Sequence, residues 1–371
     1  MSKAAELAKW GEVSTNGQVS GRRNMVINGG MNVAQRGTSF TTNADLYTLD
    51  RFAIGHGSPV NAMTVSQETD APTGFKYSLK VLAGTGAGAS TGGYAVLRQA
   101  IEGTNMYHLN FGTSSAKTIT ISFYVKSSLT GTFAVSIRNQ AGNRAFASTY
   151  TINSANTWEY KTITIAGDTS GTWTADTGIG LHIQFDLGAG SNFDIATGAW
   201  TAGSNMFGGE STVKLTETTN ATWFLTGLQL EVGSVATPFE HRSFGEEFDL
   251  CLRYYEKSSA YGVAEDSTAG PNIYGVVGMA GSDSSVGNND AAMIHWQKSK
   301  RAAPTLVFYD AAGNSGKLSY AEAGVGRADN IAIRSSNIGV NRSRIGTAGA
   351  SSLDAGEAVE MLFQYTADSE L

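Results

Sequence analysis

A single cysteine, Cys251, stands in 371 residues. No disulfide can close within one chain, and no thiolate cage can hold a metal. Proline is scarce as well: five residues against forty-five glycines, with no Gly-X-Y period. That balance excludes a collagen-like rod and a proline-rich spacer and leaves a chain of many turns. Charged residues make up only 16 %, so the surface must be covered mostly by Ser, Thr, Asn and Gly. The net charge is −6, and no basic run is longer than Arg22-Arg23 or Lys300-Arg301. Phosphate binding needs a basic surface, so nucleic acid is not expected as the main ligand. No stretch approaches the roughly 18 apolar residues of a membrane span. The opening MSKAAELAKW is polar and no apolar run follows it. Neither membrane insertion nor a secretory leader is therefore expected, and synthesis and folding are expected in a cytoplasm.

What the chain does have is alternation. Leu79 and Val81 alternate with Lys80, Ile119, Ile121 and Phe123 with Thr120 and Ser122, and Phe133, Val135 and Ile137 follow the same rule. Ile179, Leu181, Ile183, Phe185 and Leu187 form the cleanest run. Successive strand side chains point to opposite faces, so each run is expected to bury one face and wet the other. Gly, Asn, Asp and Ser clusters punctuate the runs at short intervals, as in a sandwich or barrel. The intervening helices that a parallel α/β sheet requires are missing, and no 20–50-residue repeat is visible.

One helix stands out over Ser243–Lys257. Ser243 and Glu246 have capping-box spacing, and Phe248, Cys251, Leu252 and Tyr255 recur on one face. Beyond it strands are expected at 272–280, 292–297, 305–310, 331–335 and 357–366. The fold class is all-β: an antiparallel jelly-roll β-sandwich plus a second, smaller distal β domain, joined by one connector helix. The expected limits are 1–23 for a terminal segment, 24–242 for the jelly roll, 243–258 for the helix and 259–371 for the distal domain. In the terminal segment Ser2 can cap a short helix over residues 3–9 with Leu7 and Trp10 on a common side. So short a helix is marginal alone; it either frays or docks on another protein.

The chemistry on offer is thin. Gly84–Ala89 fits the G-x-G-x-x-A loop of dinucleotide sites, and Gly88–Gly92 fits a G-x-S-x-G elbow around Ser90. Both work only where a helix follows the loop, and here a strand-length run, Tyr94–Ile101, comes next. Glu231, Glu240, Glu246 and Glu247 cluster as if for glycoside cleavage, yet helix capping and strand alternation account for Glu246, Glu247 and Glu231. Asp283, Asn288, Asn289 and Asp290 lack the ligand spacing of an EF-hand loop, and the histidines lie too far apart in sequence for a zinc motif. No catalytic residue, cofactor or metal site is expected. Aromatic rings offer flat faces for sugar CH groups, which draws attention to Trp173, Trp200, Tyr261, Tyr274, Trp296 and Tyr309.

Two separated signatures carry a resemblance. Asn24–Met31, Gln35-Arg36-Gly37 and Tyr47–Phe52 resemble the opening of a module of tailed-bacteriophage tail-fibre and virion surface proteins. Trp223–Gly233, Ala236–Arg242 and Glu246…Cys251–Tyr255 are similar to its close. Together they bracket residues 24–257, the size of a jelly roll similar to carbohydrate-binding modules. Arg301–Thr305 and the ending Ala367–Leu371 are similar to the distal parts of phage tail proteins. The resemblance implies a non-enzymatic, trimeric appendage on the virion surface, attached to other virion proteins through the N-terminal segment with Leu7 and Trp10. It also implies that the distal part binds a host-surface glycan, for which Tyr261, Tyr274, Trp296 and Tyr309 are the expected contacts. A purely structural tail or capsid decoration protein and a capsule depolymerase are the alternatives. The signatures themselves read as structural, with Gln35-Arg36-Gly37 expected to tie the N-terminal segment to the edge of the jelly roll.

Overall fold

The computed structural model describes residues 23–57, 60–86, 91–203, 208–209, 212–263, 274–279, 288–322, 326–348 and 358–371. The chain divides into two compact units. The first holds residues up to Ala34, Thr38–Glu247 and Leu371; the second holds Gln35–Gly37 and Phe248–Glu370.

In the first unit the strands run β1 Ser39–Thr42, β2 Leu46–Tyr47, β3 Phe52–Gly57, β4 Met63–Glu68, β5 Ser78–Ala83 and β6 Tyr94–Glu102. They continue with β7 Ile119–Ser127, β8 Gly131–Asn139, β9 Arg144–Ile152, β10 Glu159–Ile165 and β11 Ile179–Asp186. Short β12 Asp194–Ile195, β13 Trp200–Ala202 and β14 Gly208–Gly209 precede the long β15 Thr222–Val232. One sheet has the order β1-β4-β5-β15-β7-β10 and the other β13-β9-β8-β11-β6-β3-β2. Every ladder within them is antiparallel, and β15 and β11 insert between strands that are not their sequence neighbours. This is a jelly-roll β-sandwich.

The alternating residues explain why the sheets stack. Leu79, Val81, Ile119, Ile121, Phe123, Phe133, Val135, Ile137, Leu181, Ile183 and Phe185 all enter one buried cluster. Across the interface Phe123 meets Tyr150 at 5.1 Å and Phe185 at 5.1 Å, both edge-on, and Phe185 meets Trp223 at 5.2 Å. Burying such a side chain stabilises by roughly 1.5–3 kcal/mol. The buried polar tips stay paired, as Trp223 Nε1 donates to Tyr150 Oη at 3.1 Å.

The two signature segments close on each other. Met25 N donates to Leu230 O at 2.9 Å and Leu228 N to Gly29 O at 3.0 Å. The Asn24 side chain grips the β15 backbone, donating to Leu228 O (3.0 Å) and accepting from Leu230 N (3.0 Å). Arg242 donates to Asn24 O (2.5 Å) and Val26 O (3.2 Å) while pairing with Glu240 and Glu247. A Cβ on Gly29 would stand 2.2 Å from Leu228 O, so glycine is needed for this approach. Gly227, at φ 61°, carries the bulge that turns β15 toward the clasp.

Helix α1 spans Phe244–Leu252, and its start has the expected capping box. Ser243 N donates to Glu246 Oε2 at 2.9 Å and Glu246 N to Ser243 Oγ at 3.3 Å. Its end departs from expectation: Tyr255–Lys257 is a strand, β16, paired with Thr366–Asp368. A Tyr254 N to Cys251 O turn ends the helix, and the ladder takes over the backbone groups that helical spacing had assigned to a last turn.

The second unit continues with β17 Tyr274–Met279, β18 Asn288–His295, β19 Thr305–Tyr309, β20 Lys317–Glu322, β21 Gly326–Ser336, β22 Arg342–Ala348 and β23 Ala358–Asp368. The C-terminal half of β23 is paired by β16 and β19, its other half by β17 and β20. Met361, Phe363, Tyr365 and Ala367 alternate into a core with Ile294, Trp296, Phe308, Leu318 and Ile345. Lys300 and Glu256 form a fully buried pair at 2.7 Å, with Tyr365 Oη donating to the other Glu256 oxygen at 3.0 Å. Among the described side chains, strands β20 and β22 contribute Leu318 and Ile345 to that core, too few for a search by alternation to find them.

Gln35-Arg36-Gly37 belongs to the second unit rather than to the jelly-roll edge. Gln35 Nε2 donates to Tyr255 O at 3.2 Å, and the Arg36 guanidinium lies 3.7 Å from the centre of the Tyr255 ring. Arg36 also pairs with Asp368 at 3.0 Å and Glu370 at 3.3 Å. Two carboxylates and an aromatic face hold the guanidinium there.

Candidate functional site

Among the described residues, the side chains expected to form a site are not brought together. Leu7 and Trp10 lie outside the described residues. Trp296 is 7 % exposed and its indole N–H donates to Gly339 O at 2.9 Å, so its ring is core and not a platform. Tyr309 is half-buried on β19, and Tyr274 is known only by its backbone pairing with Phe363. Tyr261 is 46 % exposed, edge-on to Phe248 at 6.0 Å. In the first unit Trp173 and Trp200 pack edge-on at 5.5 Å, with their N–H groups bonded to Ser170 O and Ala166 O.

The carboxylates are equally committed. Buried Glu231 accepts from Thr237 N (2.8 Å), Thr237 Oγ1 (2.6 Å) and Gln229 Nε2 (2.9 Å). Glu240 accepts from Asn24 N at 2.7 Å and Glu247 from Asn28 N at 2.5 Å. The glycine-rich loop after β5 leads to strand β6 with no helix among its described residues. Among the described residues no group of three His, Cys, Asp or Glu side chains is arranged to hold a metal, and no helix is long and apolar enough to cross a membrane.

A different set of residues gathers on β11. Ile183 and Phe185 face the core, so His182, Gln184 and Asp186 face the other side of the sheet. That side was expected to be wet, yet Gln184 is 0 % and His182 5 % exposed. Register places Gln184 between Arg98 on β6 and Ser136 on β8, and His182 between Ala100 and Arg138. Directly opposite side chains on a sheet stand about 4.5–5.5 Å apart at Cβ, so the two arginines flank the Gln184–His182 pair from opposite strands. Neither amide atom of Gln184 has a hydrogen-bond partner, nor has His182 Nδ1. Leaving a buried polar group unpaired costs roughly 1–3 kcal/mol, and such groups call for an explanation.

Side chains of β6 fill the space over Gly55 and Gly57 on β3: a Cβ on Gly57 would stand 2.4 Å from the Tyr94 ring, and one on Gly55 2.9 Å from Val96 Cγ2 and 3.3 Å from Arg98 Nη1. Tyr94, half-buried, meets Phe193 edge-on at 5.1 Å. Arg98 keeps 23 % of its side chain exposed and pairs with Asp45 at 3.0 Å. Beyond Gln184 the face closes. There Asp186 accepts from Gly188 N, Ala189 N and Lys214 Nζ, and β14 packs against the sheet through Gly208 and Gly209. Burial and the neighbouring Arg98 push the Arg138 guanidinium down to about 10. Burial, Arg138 and Arg98 hold His182 well below its ordinary 6.5, so the ring is neutral.

The outer face of the other sheet is aromatic, with Phe75, Tyr124, Tyr160, Phe239 and His241 in contact. Its central polar groups are satisfied: Trp158 Nε1 donates to Asp70 at 3.1 Å, and Lys126 pairs with the same carboxylate over the Phe224 ring. Buried polar atoms without a partner occur elsewhere as well, as at Thr216 Oγ1 and Thr347 Oγ1, but at Gln184 both amide atoms are so placed. Sequence reading passed over the β11 face because His, Gln and Arg at alternate positions look like any solvated face; only the register brings four of them together.

No protein-family model matches the chain, and no curated protein matches its sequence. Structural comparison finds a tailspike domain of bacteriophage CBA120 at 17 % identity, covering 57 % of this chain and 21 % of that one, with a TM-score of 0.29. A family 11 carbohydrate-binding module from Clostridium thermocellum, solved with a mixed-linked tetrasaccharide, is 15 % identical over 55 % of this chain and 99 % of its own (TM-score 0.26). A putative sugar binding protein from Bacteroides thetaiotaomicron is 11 % identical over 57 % and 100 % (TM-score 0.31). The chain thus spans about a fifth of the tailspike domain's length, and the fold assignment rests on the strand order and register given above.

Proposed function

We propose that this protein is a non-catalytic glycan-binding protein of the tailed-phage surface, and that the aromatic outer face of the β1–β10 sheet of the jelly roll receives the sugar. The observation that carries the reading is the contact of Phe75, Tyr124, Tyr160, Phe239 and His241 there, with Tyr160 46 % exposed. Flat ring faces accept the CH groups of a sugar. The engagement of Glu231, Glu240 and Glu247 by backbone donors supports binding without cleavage. The paired signatures at residues 24–52 and 223–255 support the placement on a virion.

The test is binding of the whole protein to an immobilised panel of neutral and acidic bacterial glycans, with Tyr160→Ala alongside. Loss of one stacked ring should weaken binding about tenfold, at roughly 1.4 kcal/mol per tenfold, with unchanged circular dichroism. Equal binding by the variant, or no glycan bound by the native chain, overturns the proposal.

A further inference from the structure

The rings on the outer face of the β1–β10 sheet stand in a row that crosses the strands. Tyr160 on β10 is directly opposite Tyr124 on β7, which is directly opposite Thr226 on β15. At the bulge beyond Thr226, Gly227 has no side chain and Phe75 takes the space. A Cβ there would stand 2.7 Å from the Phe75 ring and 3.1 Å from that of Tyr124. Phe239 and His241, on the segment after β15, continue the row. From Tyr160 to Tyr124, Phe75 and Phe239 the ring centres are 4.9, 5.5 and 5.0 Å apart, and His241 lies 5.2 Å from Phe75. Tyr160 and His241 are exposed and the other three rings are half-buried, so all reach the surface. The charged groups around them are engaged. Lys126 and Trp158 Nε1 hold Asp70, Lys80 pairs with Glu68 at 3.6 Å, Lys76 lies 4.9 Å over the Tyr77 ring, and Arg242 holds Glu240 at 3.0 Å.

We infer that this row binds an internal stretch of an uncharged polysaccharide chain, laid across the strands with successive sugar units over successive rings. This rests on the glycan-binding reading above and narrows its ligand. The rings follow one another at close to the length of one pyranose unit, so neighbouring units meet neighbouring rings. A single terminal sugar would cover one ring and leave the others in water. Successive rings are tilted by 45°, 59° and 66°, which lets their faces follow a chain that turns from unit to unit. An acidic chain would bring carboxylates to a face whose cations are already engaged, and a charge taken out of water without a partner is costly.

The experiment titrates the full chain with size-graded oligosaccharides, from a single unit upward, cut from neutral bacterial polysaccharides and from uronate-containing ones. On the neutral series each added unit should tighten binding by roughly two- to tenfold, the worth of one ring contact. The gain should stop once the row is filled, at about four units for the rings from Tyr160 to Phe239. Tyr160→Ala, at one end of the row, should bring that plateau one unit earlier. The size series is read on the native protein, so it does not depend on how the variant folds. A single unit bound as tightly as the longer chains overturns the chain reading, and so does a plateau that the variant leaves in place. Binding confined to the uronate series overturns the uncharged ligand. Each of these leaves glycan binding standing, whereas binding to no member of either series overturns the glycan reading itself.

Discussion

At the scale of single residues, the β11 face carries a stability cost. His182 is buried and neutral, held well below 6.5 by burial first and then by Arg138 and Arg98. In the unfolded chain the ring has its ordinary value near 6.5 and takes up a proton that the folded state refuses. Stability of the first unit should therefore fall as pH drops below about 6.5, with a slope approaching 1.4 kcal/mol per pH unit for the one proton. Its contribution is constant above that window. His108, also lowered by burial and by Lys117, adds to the same window, so the difference between native protein and His182→Gln isolates the buried ring. Urea unfolding at pH 7.5 and 5 makes the comparison; parallel pH dependence in the two proteins would show that His182 is not the neutral group described. Little of this was readable from the chain. Gln184 and His182 are ordinary alternating polar residues until β6 and β8 set Arg98 and Arg138 beside them.

At the scale of elements, the clasp between the two ends of the jelly roll is the feature with the clearest consequence. Gly29 passes so close to Leu228 O that any side chain forces the two segments apart. Gly29→Ala should destabilise the first unit by roughly 1–3 kcal/mol, the usual cost of overpacking. Thermal unfolding of the variant measures it, and an unchanged midpoint would mean that the segments are not held as described. The strands and the helix start were legible, because alternation at Ile121, Phe123, Ile183 and Phe185 and the Ser243–Glu246 spacing are local signals. The helix end was not. Tyr255 keeps helical spacing with Cys251, yet β23 offers it a ladder and wins the backbone. Trp296 misled for a related reason: a large ring near a strand end is equally suited to a surface or a core, and only Gly339 and Tyr365 decide which.

At the scale of the whole molecule, the virion reading makes its own demands. If residues 1–23 attach the protein through Leu7 and Trp10, deleting them should abolish incorporation into particles while leaving both units folded. If the appendage is a homotrimer, light scattering at micromolar concentration should give three times the chain's 38.9 kDa. A monomer, or normal incorporation of the truncated chain, would contradict the respective claim. Soluble protein that blocks phage adsorption would favour host recognition over a decoration or adaptor role. The sequence alone determined the all-β class, the lack of disulfides within one chain and the core-facing half of most strands, because these follow from composition and a period of two. Tertiary structure decided which polar residues meet, where Gln35–Gly37 docks, and which of the alternating polar residues are buried. Those depend on register between strands tens of residues apart, and register is a property of the packed sheets that no local pattern encodes.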